Sequence, residues 1–191
     1  MRYDRVTRSL HAAVALGVIV QLILSQLMEI PSTKHKVEAL PLALFGAHEY
    51  IGLALLILLL LHWLWSLPGH VQGGIAHLFP WFSRERINKV LAETRGMLKF
   101  QLPDPEGNNA LAGAVHGLGL LIASVMAATG TVVFFNLDAS GHMNVVGKAV
   151  AGLHANLATF MWIYLIGHAA MALLHVRMGH GRMREMFALF K

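Results

Sequence analysis

"GLHANLATFMWIYLIGHAAMALLH", from Gly152 to His175, is apolar enough to cross a bilayer, yet it carries His154, His168 and His175. A helix needs about 20 apolar residues to span the hydrocarbon. Histidine is costly in that medium and needs a partner there. Fourteen residues of helix rise about 21 Å and complete almost four turns. His154 and His168 therefore share one helix face, near opposite sides of the membrane.

The same interval recurs upstream, between His48 and His62. Four apolar runs are long enough to span, near Leu10–Met28, Leu42–Leu67, Leu111–Asn136 and Gly147–Val176. The chain has 191 residues, 56% of them hydrophobic and only 13% charged, with a mean hydropathy of +0.58. A soluble domain carries about a quarter charged residues, so the expectation is an all-α membrane protein, a four-helix transmembrane bundle forming one domain over residues 1–191. The basic start and the apolar run after it read as a retained first span, since no small-residue cleavage site follows.

The basic residues set the orientation. Arg2, Arg5 and Arg8, then Arg84, Arg86, Lys89, Arg95 and Lys99, then Arg177, Arg182, Arg184 and Lys191 fall on one side of four spans. Only Lys34, Lys36 and Lys148 fall on the other. Both termini are expected in the cytoplasm, with the protein multi-pass in the inner membrane. The net charge of +5 is then mostly a topological signal, and no basic soluble domain suggests nucleic acid. Between spans two and three lies the one sizeable extramembrane segment, about residues 68–109. Within it "FSRERINKVLAETRGMLKF" (Phe82–Phe100) has Ser83 as a candidate N-cap. Ile87, Val90, Leu91 and Leu98 recur at helical spacing, so a short amphipathic surface helix is expected. "LPDPEGNN" then reads as a turn-rich linker.

Spans two and four run in the same direction. His48 and His154 therefore share the outer level, and His62 and His168 the inner one. His11 and His116 also sit at the inner level. Two facing imidazoles at one depth suit a b-type haem, whose iron leaves two axial positions for neutral histidine. The chain has no cysteine, which excludes covalent haem attachment, thiolate zinc sites and iron–sulfur clusters. A single histidine in a span is ordinarily hydrogen-bonded to a neighbouring helix, but that reading leaves the repeated interval unexplained. Gly52 and Ala158, one turn after His48 and His154, are small enough to let a flat porphyrin approach. Ordinary small-residue helix packing explains them equally well. Trp63 and Trp65 read as aromatic-belt anchors. The competing function is a histidine-based transition-metal or proton transporter. Against it, Glu29, Glu49 and Asp138 stand at span ends, and no span interior carries a carboxylate. A purely structural anchor for a soluble redox enzyme would leave the histidines without a role.

"RVTRSLHAAVALGVI" around His11, "FGAHEYIGLALLILLLLHW" around His48, and the Gly152–His175 stretch together resemble the bacterial cytochrome b561 family. That family is similar to the b-type cytochrome subunits of nickel–iron hydrogenases and formate dehydrogenases. The resemblance covers all four spans, with residues between His62 and Asn109 less familiar. It implies two haem b groups, with His11 and His168 as axial ligands of the inner one and His48 and His154 of the outer. It implies quinone as electron-exchange substrate, with His116 beside it, and a second partner such as superoxide or a periplasmic or membrane redox subunit. The function so implied is electron transfer, as a cytochrome or a quinone-linked oxidoreductase. Arg8, His116 and Arg177 are candidates to contact a quinone or a haem propionate; for the arginines, headgroup contact competes. His175 has a family counterpart with no ligand role. His62 stands where several relatives have arginine. Its fourteen-residue interval from His48 also resembles the ligand pattern of the quinol–cytochrome c oxidoreductases. His62 therefore rivals His11 for the inner haem.

Overall fold

A computed structural model describes residues 4–68, 74–99 and 109–178. The elements are α1 (Arg5–Leu27), α2 (Ala39–Ser66), α3 (Ile75–Leu78), a 3-10 turn (Pro80–Phe82), α4 (Arg84–Leu98), α5 (Ala110–Asn136) and α6 (Val145–Arg177). The described residues are all-helical, with one isolated bridge between Leu137 and Met143. Four helices, α1, α2, α5 and α6, are long and apolar enough to cross a membrane. Each matches an expected span to within a few residues. The second starts earlier than expected, at Ala39. Glu49 therefore lies inside α2 rather than at its start.

Large apolar side chains point outward along these helices, among them Leu16, Ile57, Ile163 and Ile166, each at least 60% exposed. So much exposed hydrocarbon has no place on a soluble surface but suits lipid.

The chain folds as two compact units. The first takes its described residues from Met1–Ala12, Leu61–Leu121 and Leu165–Lys191. The second comprises Ala13–Leu60 and Ile122–Tyr164.

In the first unit the segment after α2 is drawn into the fold. Leu78, Phe79 and Pro80 are buried, and Phe79 stacks on Trp63 with ring centres 5.7 Å apart. Gly113 and Gly117 of α5 make this possible. A side chain at either would run into the backbone carbonyl of His77 or Leu78. That spacing is the small-xxx-small device for close backbone approach. Trp65 donates through Nε1 to Thr7 Oγ1 at 3.1 Å. The two tryptophans expected as belt anchors thus both contact protein. Asp4 caps α1, accepting from Thr7 N at 2.9 Å and Thr7 Oγ1 at 2.6 Å. Burial raises the Asp4 carboxyl, but the Thr7 bonds outweigh it and hold the group below its ordinary range.

α4 forms where the sequence pattern places it. Ser83 is its N-cap and accepts from Arg86 N. Glu85 pairs with Lys89 at 2.8 Å, and that hydrogen bond holds the Glu85 carboxyl low. No α4 residue is buried, so Ile87, Leu91 and Leu98 remain exposed. Glu93 joins α4 to α5, accepting from Ala110 N at 3.3 Å and Leu111 N at 2.8 Å. Residues 102–108 of the expected linker, and Arg2, Arg182, Arg184 and Lys191, lie outside the described residues.

In the second unit Leu22, Phe45, Leu55, Leu59, Ala123 and Met161 are buried. Gly17 of α1 accommodates the Leu55 side chain of α2. The loop between α5 and α6 is organised by Asp138, which accepts from Ser140 N, Ser140 Oγ and His142 N. These bonds, Ser140's first, keep its carboxyl low. Gly141 has φ 80° and lies against the Pro31 carbonyl, a position closed to other residues.

Candidate functional site

Histidines gather in each unit. In the first unit His11 of α1, His116 of α5 and His168 of α6 converge, with one ligand atom of each within 4.8 Å of the others. The ring centres of His11 and His168 are 6.3 Å apart. Those of His11 and His116 are 5.9 Å apart, and those of His116 and His168 5.2 Å. In the second unit His48 of α2 faces His154 of α6 with ring centres 6.2 Å apart and planes at 89°. All five rings are half-buried.

Each ring comes from a long apolar helix, whose backbone groups are satisfied within the helix. An imidazole is then the main polar group that must find a partner in its surroundings. His154 has one on its Nδ1 side. Thr129 Oγ1 lies 3.0 Å away, and the same hydroxyl is 2.8 Å from the Val125 carbonyl and 3.0 Å from that of Met126. Gly130 leaves room for the same ring, since a Cβ there would lie 3.1 Å from His154 Cε1. His48 Nδ1 is buried and has no hydrogen-bond partner. The same is true of His62 Nδ1.

A metal-bound imidazole nitrogen lies about 2 Å from its ion, so two imidazoles on opposite faces of one ion have ring centres about 6 Å apart. The separations within the pairs His48–His154 and His11–His168 suit that arrangement. The donors are nitrogen alone, which suits a b-type haem held without covalent attachment. His11 and His116, at 5.9 Å, meet the same criterion in the first unit.

A family model described as prokaryotic cytochrome b561 matches residues 2–188. The chain belongs to the prokaryotic cytochrome b561 family. It is therefore a b-type haem protein of electron transport with several transmembrane helices, and the transporter reading falls away. Comparison with curated proteins found no match, and comparison with solved structures found none.

For this cytochrome, the structure brings together His11, His116 and His168, and separately His48 and His154. His62 lies in the same unit as the first cluster, and its backbone carbonyl accepts from Ser66 Oγ at 2.9 Å. Arg8, one turn before His11, is only 4% exposed. Arg177 is exposed at the end of α6. The room left by Gly52 is taken by the Gln21 amide rather than left open, since a Cβ there would lie 2.7 Å from Gln21 Nε2.

Sequence reasoning passed over Thr129 and Gln21. Both are polar residues inside apolar runs. The argument that singled out the histidines, that a polar side chain in a span needs a partner, would have flagged them too.

Proposed function

We propose that this cytochrome is a dihaem protein of the inner membrane that exchanges electrons between a quinone and a second redox partner. The observation that carries the reading is the pair of matched imidazole separations, 6.2 Å for His48–His154 and 6.3 Å for His11–His168. His48 and His154 hold the outer haem, and His11 and His168 the inner one. Haem b with imidazole on both faces supplies one-electron transfer. The protein's part is to fix depth, orientation and electrostatics.

Orientation follows the excess of basic residues, with both termini cytoplasmic and α4 lying on the inner lipid surface. Its exposed Ile87 and Leu91 beside Lys89 and Arg95 support that placement.

Quinone exchange belongs at the inner level. There His116 stands beside the axial pair and offers an imidazole to a quinone oxygen. Arg8, buried one turn from His11, is suited to offset negative charge on a reduced quinone or a propionate. Arg177, being exposed, suits the same charge only at the helix end, where headgroups compete for it. The second partner is superoxide or a redox subunit reached from the outer haem.

The test is the haem-to-protein ratio of the purified chain with its dithionite-reduced spectrum. Two haems per chain, all extracted by acid–acetone, are expected. One haem per chain in a fully loaded preparation would refute the dihaem reading.

A further inference from the structure

His77 lies outside the four membrane-crossing helices, on the short α3 between α2 and α4. The segment that carries it is held on several sides. Arg86 of α4 donates to the carbonyl of Ala76, Phe79 stacks on Trp63 of α2, and Pro80 is fully buried. The His77 ring rests on Gly113 of α5, where a Cβ would lie 3.0 Å from its Cε1 atom. His116 follows three residues later on α5, and residues at that spacing share a helix face. Gly117, the next position of that face, meets the Leu78 carbonyl. α3 is thus laid along the stripe of α5 that bears His116, and His77 and His116 are near enough to interact electrostatically.

His116 interacts in this way with three imidazoles, those of His11, His168 and His77. An axial ligand gives one nitrogen to iron and keeps a proton on the other. His11 and His168, as ligands, have no nitrogen left to take one. His77 has, and a neutral imidazole accepts a proton near pH 7. Its neighbour Ala76 is exposed, so the ring stands between His116 and the edge of the protein.

We propose that His77 is the proton acceptor of the quinone site, with a quinol hydroxyl seated between the two rings, its oxygen held by His116 and its proton taken by His77. The inference rests on the reading of His116 as the imidazole that meets the quinone. Oxidation of one quinol to quinone releases two electrons and two protons. The electrons leave singly to ferric haem. Each proton breaks from a quinol oxygen to His77, which passes it to the inner aqueous side before the next arrives.

The experiment is stopped-flow reduction of the purified full-length protein by a quinol analogue, followed at the reduced α-band. The haem-to-protein ratio, a redox titration and the binding of a hydroxyquinoline N-oxide, read from its fluorescence, are measured alongside. His77→Ala, His77→Gln and His116→Ala are compared with the parent. Both His77 variants should keep two haems at parental potentials and be reduced by quinol at least about tenfold more slowly. Free imidazole should restore part of the rate to His77→Ala, whose lost ring it replaces, and none to His77→Gln, where the space is filled. Binding of the N-oxide should weaken about three- to tenfold in His77→Ala, the worth of one neutral hydrogen bond. His77→Gln decides the question if His77→Ala loses haem. Parental quinol kinetics in both His77 variants, with His116→Ala slowed, would overturn the role of His77 and leave His116 at the quinone. A slowed His77→Ala that imidazole does not restore, beside a His77→Gln of parental rate, would also overturn it, by showing that His77 only packs. Parental kinetics in all three variants would overturn both readings.

Discussion

Thr129 Oγ1 lies 3.0 Å from His154 Nδ1 and within hydrogen-bond reach of the carbonyls of Val125 and Met126. With its single proton given to one of those carbonyls, the hydroxyl accepts from Nδ1–H. That tautomer leaves the Nε2 lone pair for a metal. Thr129→Val keeps the shape and removes the acceptor. Loss of such a partner typically lowers metal affinity by about 10–100-fold. Thr129→Val should release one haem at least about tenfold faster to an apo-protein acceptor, with Thr129→Ser close to the parent. Equal release rates in all three proteins would show that the contact does not support a haem.

Among the described residues of the second unit, His48 and His154 face each other with ring centres 6.2 Å apart. Replacing either with alanine should remove one haem and spare the other, seen as a halved haem-to-protein ratio. A variant that keeps both haems with unchanged spectra would show that the pair is not axial.

Glu93 places a carboxylate on the first two amides of α5, accepting from Ala110 N and Leu111 N. It acts as a remote cap, and an anion is favourable at a helix N-terminus. Glu93→Ala should cost about 1 kcal/mol, the usual size for a lost cap. A lower midpoint of thermal unfolding in detergent, with haem content unchanged at low temperature, is the expected result. Glu93→Gln keeps the acceptor oxygen and should fall between the two.

Much of this was legible in the sequence because the bilayer permits few solutions. Apolar runs of sufficient length must be helices, and α1, α2, α5 and α6 formed where expected. Ser83 was legible as a cap because its side chain acts on its own helix. The histidine intervals placed His48 with His154 because residues on one helix face keep their spacing. What stayed hidden is what crosses between segments distant in sequence. The Glu93 cap, the Gln21 bond to His48, and the docking of His77 and Leu78 carbonyls on Gly113 and Gly117 each depend on tertiary approach. Gly52 was read both as room for a porphyrin and as ordinary small-residue helix packing, and the choice stayed open for the same reason, since nothing local to α2 reveals that α1 fills it.

His116 is the third imidazole of the first cluster, 5.2 Å from His168 and 5.9 Å from His11 between ring centres. One iron takes two axial histidines, so a third ring at this distance is free for another role. His116→Ala should retain both haems and slow haem reduction by a quinol analogue by at least about tenfold, the low end of what a positioned catalytic imidazole contributes. Stopped-flow reduction at the α-band measures this. Parental quinol kinetics would move the quinone site elsewhere.

The choice of inner ligand separates two patterns that the spacing alone leaves open. His168 belongs to both. Opposite it, His11 lies at 6.3 Å between ring centres, the separation that one ion between two imidazoles requires. His62 completes the fourteen-residue interval on α2, and its Nδ1 is buried without a hydrogen-bond partner. A buried imidazole that does not bind iron still needs an acceptor, and a haem propionate at this level would serve. His11→Ala should therefore lose one haem, while His62→Ala keeps both and shows at most a shifted potential. The measurement is the haem-to-protein ratio with a redox titration of each variant. Haem loss in His62→Ala, with both haems kept in His11→Ala, would place all four ligands on α2 and α6 and leave α1 without an iron ligand.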